Sequence, residues 1–252
     1  MDVTVGAGGT PTRARMTATL ERWDTSGDRR ALFLRTWTEV TDRLLTAVRN
    51  RNVADPQWVL QLHELLADHY FVTVEPDGDD LSRVTPPAWR SAHDAAVSAA
   101  TDGPTAVLLG FNAALSNDLP QAVCAMLHAQ WPLTAVRLER RYQDFRIAGA
   151  IIATAVPARS STVDNWVDDA WRHALMLLTA ADEGWRDAIR DCIEHNALRR
   201  AHLITCPIAG RDRLLALPSS RLDHEFPPRH SAGTCSQRIA IPSWGVPAAA
   251  AT

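Results

Sequence analysis

Lysine is absent from this chain of 252 residues: all 26 basic positions are arginine. That absence excludes lysine Schiff-base chemistry, pyridoxal attachment and a Walker-type phosphate loop, each of which needs an ammonium group. Charge of one sign is lacking too. The formal net charge is −3 at pH 7, whereas a phosphate binder would be clearly basic, so nucleic acid is not expected as the main partner. Long hydrophobic runs are missing. The longest, Ala148 to Val156, is about half of what spans a bilayer, so no transmembrane helix is expected. No N-terminal stretch joins a basic start to an apolar core, so no signal peptide is expected. Cys124, Cys192, Cys206 and Cys235 show no C-x-x-C spacing and read as buried or free thiols of a reducing cytoplasm. No G-x-S-x-G or G-x-G-x-x-G sequence stands in a usable context. No segment alternates long enough to make a strand, and no internal repeat is found.

What is present is helical. Phe33, Trp37, Val40, Leu44 and Val48 mark an amphipathic helix from about Asp28 to Arg49. Asp55-Pro56 supplies an N-cap and a first-turn proline for a helix reaching about Val74, and Thr85-Pro86-Pro87 repeats the device for one reaching about Ala100. Thr105 to Ser116 is apolar enough for a central, buried helix. Asn117-Asp118 with Pro120 ends it and caps the next, which runs to about Gln130. Further helices are expected at about Thr134–Ala155, Thr162–Thr179 and Glu183–Leu203. The expected organisation is a disordered arm over 1–11, an all-α single-domain bundle of about eight helices over 12–205, and a Pro/Ala-rich irregular tail over 206–252.

The richest constellation is Asn112 to Pro120. Asn112 lies in an apolar helix, where an amide is costly without partners, and Ser116 shares its face. Two accounts stay open: Asp118 caps the next helix while Asn112 bonds a neighbour, or they line a pocket. Asp144 sits where a polar helix start gives way to the apolar Ile147–Val156. It is either a solvated ion pair with Arg140 and Arg141 or a carboxylate pointing into the bundle. His63 and Tyr70 share one helix face and are held in the interior or act in catalysis, whereas His63 and His69 point apart and make no two-histidine metal motif. Asp164, Asp168 and Arg172 form an exposed stripe, with Trp166, Ala170 and His173 nearer the core. The aspartates could suggest a class I terpene synthase motif, but the second magnesium motif of those enzymes is absent. The nine tryptophans are spread along the chain as core anchors.

The segment Gly110-Phe-Asn-Ala-Ala-Leu-Ser-Asn-Asp-Leu-Pro-Gln-Ala-Val123 resembles the G-M-N-A-H-I-N-x-D-L-P-x-A-V signature of a bacterial (actinobacterial) domain-of-unknown-function family, number 5995. Trp89 after Pro86-Pro87 looks like its P-x-x-W start, Asp144-Phe145 like its D-F-x-x-V-N segment, and Trp166 to Trp171 like its late Trp-rich helix. The resemblance implies an all-helical fold with a polar centre suited to a divalent metal. Here the family's His aligns with Ala114, its second Asn with Ser116, and its later Asn with Gly149, while Asn112, Asp118 and Asp144 remain. The implied site has lost its best ligand, is expected to bind no metal, and is more open, which suits a bulky apolar ligand. The resemblance also implies that Asn112, Asp118 and Asp144 converge on one cavity lined by Ala114 and Gly149.

Three functions follow. The first is a metal-independent, cofactor-free cyclase, isomerase or lyase of specialised metabolism acting on an apolar small molecule. In it Asp118 and Asp144 serve as acid and base, with catalytic or orienting His63 and Tyr70, and Asn112, Ala114, Ser116 and Gly149 contact the substrate. The second is a metal-dependent hydrolase using Asp118 and Asp144 with His63 or His173. The third is a non-catalytic binding or interaction protein.

Overall fold

The structure, a computed structural model, describes residues 11–75, 85–130, 133–156, 158 and 160–206. The expected arm and tail fall outside these residues, except that Pro11 opens a helix and Cys206 caps one. The described chain is all-α. Its helices are α1 (Pro11–Ser26), α2 (Ala31–Arg49), α3 (Pro56–Val74), α4 (Pro87–Val97), α5 (Gly103–Ala113), α6 (Leu119–Ala129), α7 (Leu133–Ala153), α8 (Ser160–Thr179) and α9 (Glu183–Thr205). One π-helical turn, Ala114–Asp118, joins α5 to α6. None of the described helices is long and apolar enough to cross a membrane. Cys124, Cys192 and Cys206 are half-buried thiols in no disulfide.

Of the two expected cap-and-proline starts, Asp55-Pro56 forms as expected, whereas Pro86 takes the N-cap position of α4 with no side-chain cap bond. The Asp55 carboxylate accepts from the Trp58 backbone N–H ahead of α3, Asp102 from Thr105 ahead of α5, and Asp182 from Trp185 ahead of α9. Each satisfies one of the orphan donors at a helix N-terminus. The helix not expected from the sequence is α1. Only Met16, Thr19 and Trp23 are buried on it, a stripe too narrow to register as a period. Partners distant in sequence hold it instead: Arg13 pairs with Asp42, and Arg15 and Arg22 both pair with Glu75.

Helix α5 is central, buried from Thr105 to Ala113, with α2, α4 and α9 packed around it. A second layer sets α8 against α6 and α7, while α3 bridges α6 and α7. The core centres on Phe33, whose ring meets Trp37, Tyr70, Trp89 and Phe111 edge-on at centroid distances of 5.2, 5.2, 5.5 and 5.1 Å. Edge-to-face contacts of this kind add to the stabilisation from burial alone. Gly110 makes them possible, because a Cβ there would overlap the Phe33 ring. Four aromatic neighbours leave that ring nowhere to retreat. Gly110→Ala is therefore expected to lower unfolding free energy by about 1–3 kcal/mol through overpacking, read as a reduced midpoint in chemical denaturation.

Candidate functional site

The π turn forms the polar centre of the bundle, and all five of its residues are buried. Its physical origin is Pro120, which has no N–H to continue the α ladder. The Leu119 N–H instead bonds Ala114 O, five residues back, and the chain widens without breaking. The break expected at Asn117-Asp118 is therefore absent, and Asp118 caps nothing. Its carboxylate accepts from Trp89 Nε1 at 2.7 Å and from Asn117 Nδ2 at 2.8 Å. Burial pushes the Asp118 carboxyl up from its ordinary value, against these two hydrogen bonds and the nearby His69.

Beside it runs a second buried network. Asn112 Nδ2 donates to Ala197 O on α9 at 2.8 Å, and Ser116 Oγ donates to Asn112 Oδ1 at 3.0 Å. Arg200 Nη1 donates to Ser116 Oγ at 2.8 Å, and the Arg200 guanidinium pairs with Asp169. Asn112 thus bonds a neighbouring helix, as one of the two sequence accounts had it. Asp169 and Arg200, both buried, escaped sequence reasoning. The stripe read as exposed, Asp164, Asp168 and Arg172, has Arg172 exposed and the two aspartates half-buried, Asp168 paired with Arg146, while Asp169 beside it turns inward. The missed signal lay on α9, where Arg200 falls on the apolar face set by Ile189, Ile193, Ala197 and Ile204.

Asp144 is not a solvated ion pair. It is 1% exposed, and its two oxygens accept the Ala54 and Asp55 backbone N–H groups at 2.7 Å each. The carboxylate docks α7 onto the start of α3. Arg141 is drawn to Asp55 at 3.6 Å and lies over the Trp58 ring, with Cζ 5.4 Å from its centroid. Three buried donors here have no hydrogen-bond partner: Arg141 Nε, Arg141 Nη1 and Trp58 Nε1.

His63 and Tyr70 lie on α3, as expected, but in different settings. Tyr70 sits in the aromatic cluster beside a void of about 10 Å³ bounded by Arg30, Trp89 and His93, about the room one water needs. Its hydroxyl is buried without a partner, and burial raises its pKa. His63 borders a larger, mainly apolar cavity of about 60 Å³ between α2, α3, α7 and α8. The wall includes Trp37, Trp58, Leu62, Phe145, Gly149 and Val167. His63 Nε2 lies 2.9 Å from Thr41 Oγ1, and that hydroxyl also bonds Trp37 O at 2.9 Å. A hydroxyl has one proton. With that proton on the carbonyl, Nε2 carries the imidazole hydrogen and Nδ1 the lone pair. Burial lowers the His63 pKa to about 4.

Of the residues singled out from sequence, His63 and Gly149 line this cavity, while Asn112, Ala114, Ser116 and Asp118 belong to the π-turn region and Asp144 to the α3–α7 joint. At 60 Å³ the cavity takes a small apolar group. It falls short of the roughly 150 Å³ that accepts benzene, so a bulky ligand does not fit this conformation. No group of three or more His, Cys, Asp or Glu side chains able to hold a metal occurs among the described residues.

With this geometry in hand, comparison with family models finds the family of unknown function DUF5995 matching residues 11–163. The chain belongs to DUF5995. Neither the curated proteins nor the solved structures yield a match. The DUF5995 match spans α1 to α7 and the first residues of α8. It takes in Trp89, the Gly110–Val123 segment and Asp144-Phe145, and it stops before Trp166–Trp171, Asp169 and Arg200. Within the DUF5995 region these residues have evident structural work: Gly110 admits Phe33, Trp89 holds Asp118, and Asp144 holds α3.

Two measurements check this geometry. In Asp144→Asn an amide NH₂ must face a backbone N–H, which removes a charge-assisted bond and strands a buried donor. A loss of about 2–4 kcal/mol is expected in chemical denaturation. The second concerns pH. The folded chain keeps His63 neutral down to about pH 4, whereas the unfolded chain protonates it near the ordinary histidine value of about 6.5. Such a group costs nothing above that value and destabilises the fold as pH falls through the window. His93, lowered to about 4 by burial and then by Arg30, acts in the same direction, while the raised Asp118 acts oppositely. Between about pH 7 and pH 4.5 the wild type should lose more stability than His63→Gln, by on the order of 2 kcal/mol.

Proposed function

We propose that this chain is a metal-independent small-molecule protein that holds a small apolar molecule, or the apolar end of a larger one, in the cavity between α2, α3, α7 and α8. The observation that carries this is the cavity itself: a void of about 60 Å³ in a close-packed core, walled mainly by apolar side chains, with one imidazole at its edge. Interiors rarely leave such space, and an apolar pocket with few polar groups is the usual form of a ligand site. The three described thiols, Cys124, Cys192 and Cys206, are in no disulfide, which is in keeping with a cytoplasmic setting.

Binding without chemistry is the stronger form of the proposal. Both Asp144 oxygens are committed to backbone amides, and Asp118 is held by Trp89 and Asn117 away from the cavity wall. A metal-dependent hydrolase finds no ligand set among the described residues. A cyclase, isomerase or lyase of specialised metabolism would have to work through His63. The lone pair assigned to Nδ1 favours it. Its pKa of about 4 opposes it: a base about three units below neutral accepts a proton at a cost about 4 kcal/mol above that of a base matched to pH 7.

Titration of the labelled protein with hydrocarbons of three to six carbons, followed by NMR, tests the proposal. Saturable shifts are expected at Leu62, His63 and Gly149 for the smallest probes. Ala148→Leu, which pushes three more carbons against the cavity, should abolish those shifts with the fold intact. Absence of saturable binding by the wild type would overturn the proposal. Conversion of a bound compound by the wild type but not by His63→Gln would decide for catalysis.

A further inference from the structure

Helices α2 and α3 supply the His63 side of the cavity, and the seam between them is spanned by large side chains. Trp37 meets His63 at a centroid distance of 6.4 Å and Tyr70 at 5.4 Å. Helix α1 lies across this seam and is pinned on both sides of it. Arg13 pairs with Asp42 of α2 at 2.7 Å, while Arg15 pairs with Asp68 of α3 at 3.5 Å and with Glu75, its C-cap, at 2.9 Å. Glu75 also takes Arg22 at 3.1 Å and the Thr19 hydroxyl at 3.2 Å. Between these pins Met16 is fully buried, and its sulfur lies 3.6 Å from Thr41 Oγ1. That oxygen is 2.9 Å from His63 Nε2, and His63 is part of the cavity wall. Thr41 and His63 alone thus link the inner face of α1 to the cavity.

We propose that α1 is the lid of this cavity: the ligand enters through the α2–α3 seam when α1 swings away about Gly27, and the ion pairs to Asp42 and Glu75 are the latch. This inference rests on the cavity being a binding site and adds the route to it and its control. The fastening of α1 differs in kind from that of the other walls. Its buried apolar side chains are Met16 and Trp23, whereas α3 buries Trp58, Val59, Leu62, Ala67, Tyr70 and Phe71. The far wall is held by the Asp144 carboxylate on two backbone amides and by Phe145 against Trp171 at 5.0 Å. Both partners of each α1 pair keep part of their surface in water, where such pairs hold weakly and salt screens them. Elements that open are drawn from those with few buried apolar contacts. Gly27, between α1 and α2, has φ +69° and no atom within 4 Å of the place a Cβ would take. A left-handed glycine in open space lets the chain pivot there without disturbing α2.

Propane is the probe, with its Kd and its release rate read by NMR exchange. The double variant Asp42→Asn, Glu75→Gln removes the carboxylate charge from the pairs with Arg13, Arg15 and Arg22. Propane release should accelerate by on the order of tenfold with Kd unchanged, because a loosened lid speeds entry and exit alike. Salt at about 0.5 M should accelerate release from the wild type and add little in the double variant. Asp168→Asn breaks a similarly water-facing pair between α7 and α8 and should leave release unchanged. Should the double variant fail to fold, the salt response of the wild type decides alone. Release that is unmoved by the double variant or by salt overturns the inference, as does equal acceleration in Asp168→Asn. A Kd that weakens in step with the release rate also overturns it, since entry is then unaffected. In each of these cases propane still binds and the cavity proposal stands. If propane does not bind the wild type, the cavity proposal fails and the lid with it.

Discussion

The carboxylate of Asp144, locked onto the backbone amides of Ala54 and Asp55, is the constraint on which the rest of the site depends. Charge-assisted bonds from two backbone donors are short and strong, and burial removes water as a competitor. They fix where α7 meets the start of α3. Those two helices supply most of the cavity wall: Trp58, Val59, Leu62, His63 and Leu66 from one, Phe145, Ala148, Gly149 and Ile152 from the other. Gly149 and Val167, both in the cavity wall, lie so near each other that a Cβ on Gly149 would be 2.9 Å from Val167 Cγ1, so α7 and α8 touch closely at that side of the cavity.

The buried acids divide by the state of their hydrogen bonds. Asp144, Asp118 and Asp169 each have their charge met by amides, an indole, a carboxamide or guanidinium groups. Such groups are framework: removing one partner leaves a buried charge alone, which is costly. Groups with unmet capacity include the Trp58 indole, the Tyr70 hydroxyl and two of the Arg141 guanidinium nitrogens. Satisfied polar groups hold the bundle together.

Much of the architecture was legible in the sequence, because each late helix carries a local signal. Asp55-Pro56 caps α3 as its chemistry requires, and the apolar Thr105–Ala113 stretch is the buried centre. What escaped was non-local. Helix α1 is fastened by Arg13, Arg15 and Arg22 to acids of α2 and of the end of α3, and no periodicity announces a partner some thirty to sixty residues away. The Asp118 break was misread because proline is ordinarily a terminator, while here the helix absorbs it by widening. Burial of Asp144 was named as an alternative, but its partners are backbone amides, which have no sequence signature. His63 and Gly149 were singled out for other reasons and do reach the cavity. Trp58 was counted among the core anchors, since an unpaired indole nitrogen shows only in three dimensions.

A crystal of the protein held under xenon pressure tests the central claim most directly. Xenon is apolar, has no hydrogen-bonding capacity and reports open apolar volume alone. The account predicts a xenon atom between α3 and α7, in van der Waals contact with Trp58, His63 and Gly149, and its disappearance when Ala148→Leu fills the space. A cavity occupied by ordered water, or closed by the packing of α7 onto α3 with no xenon bound, would contradict it.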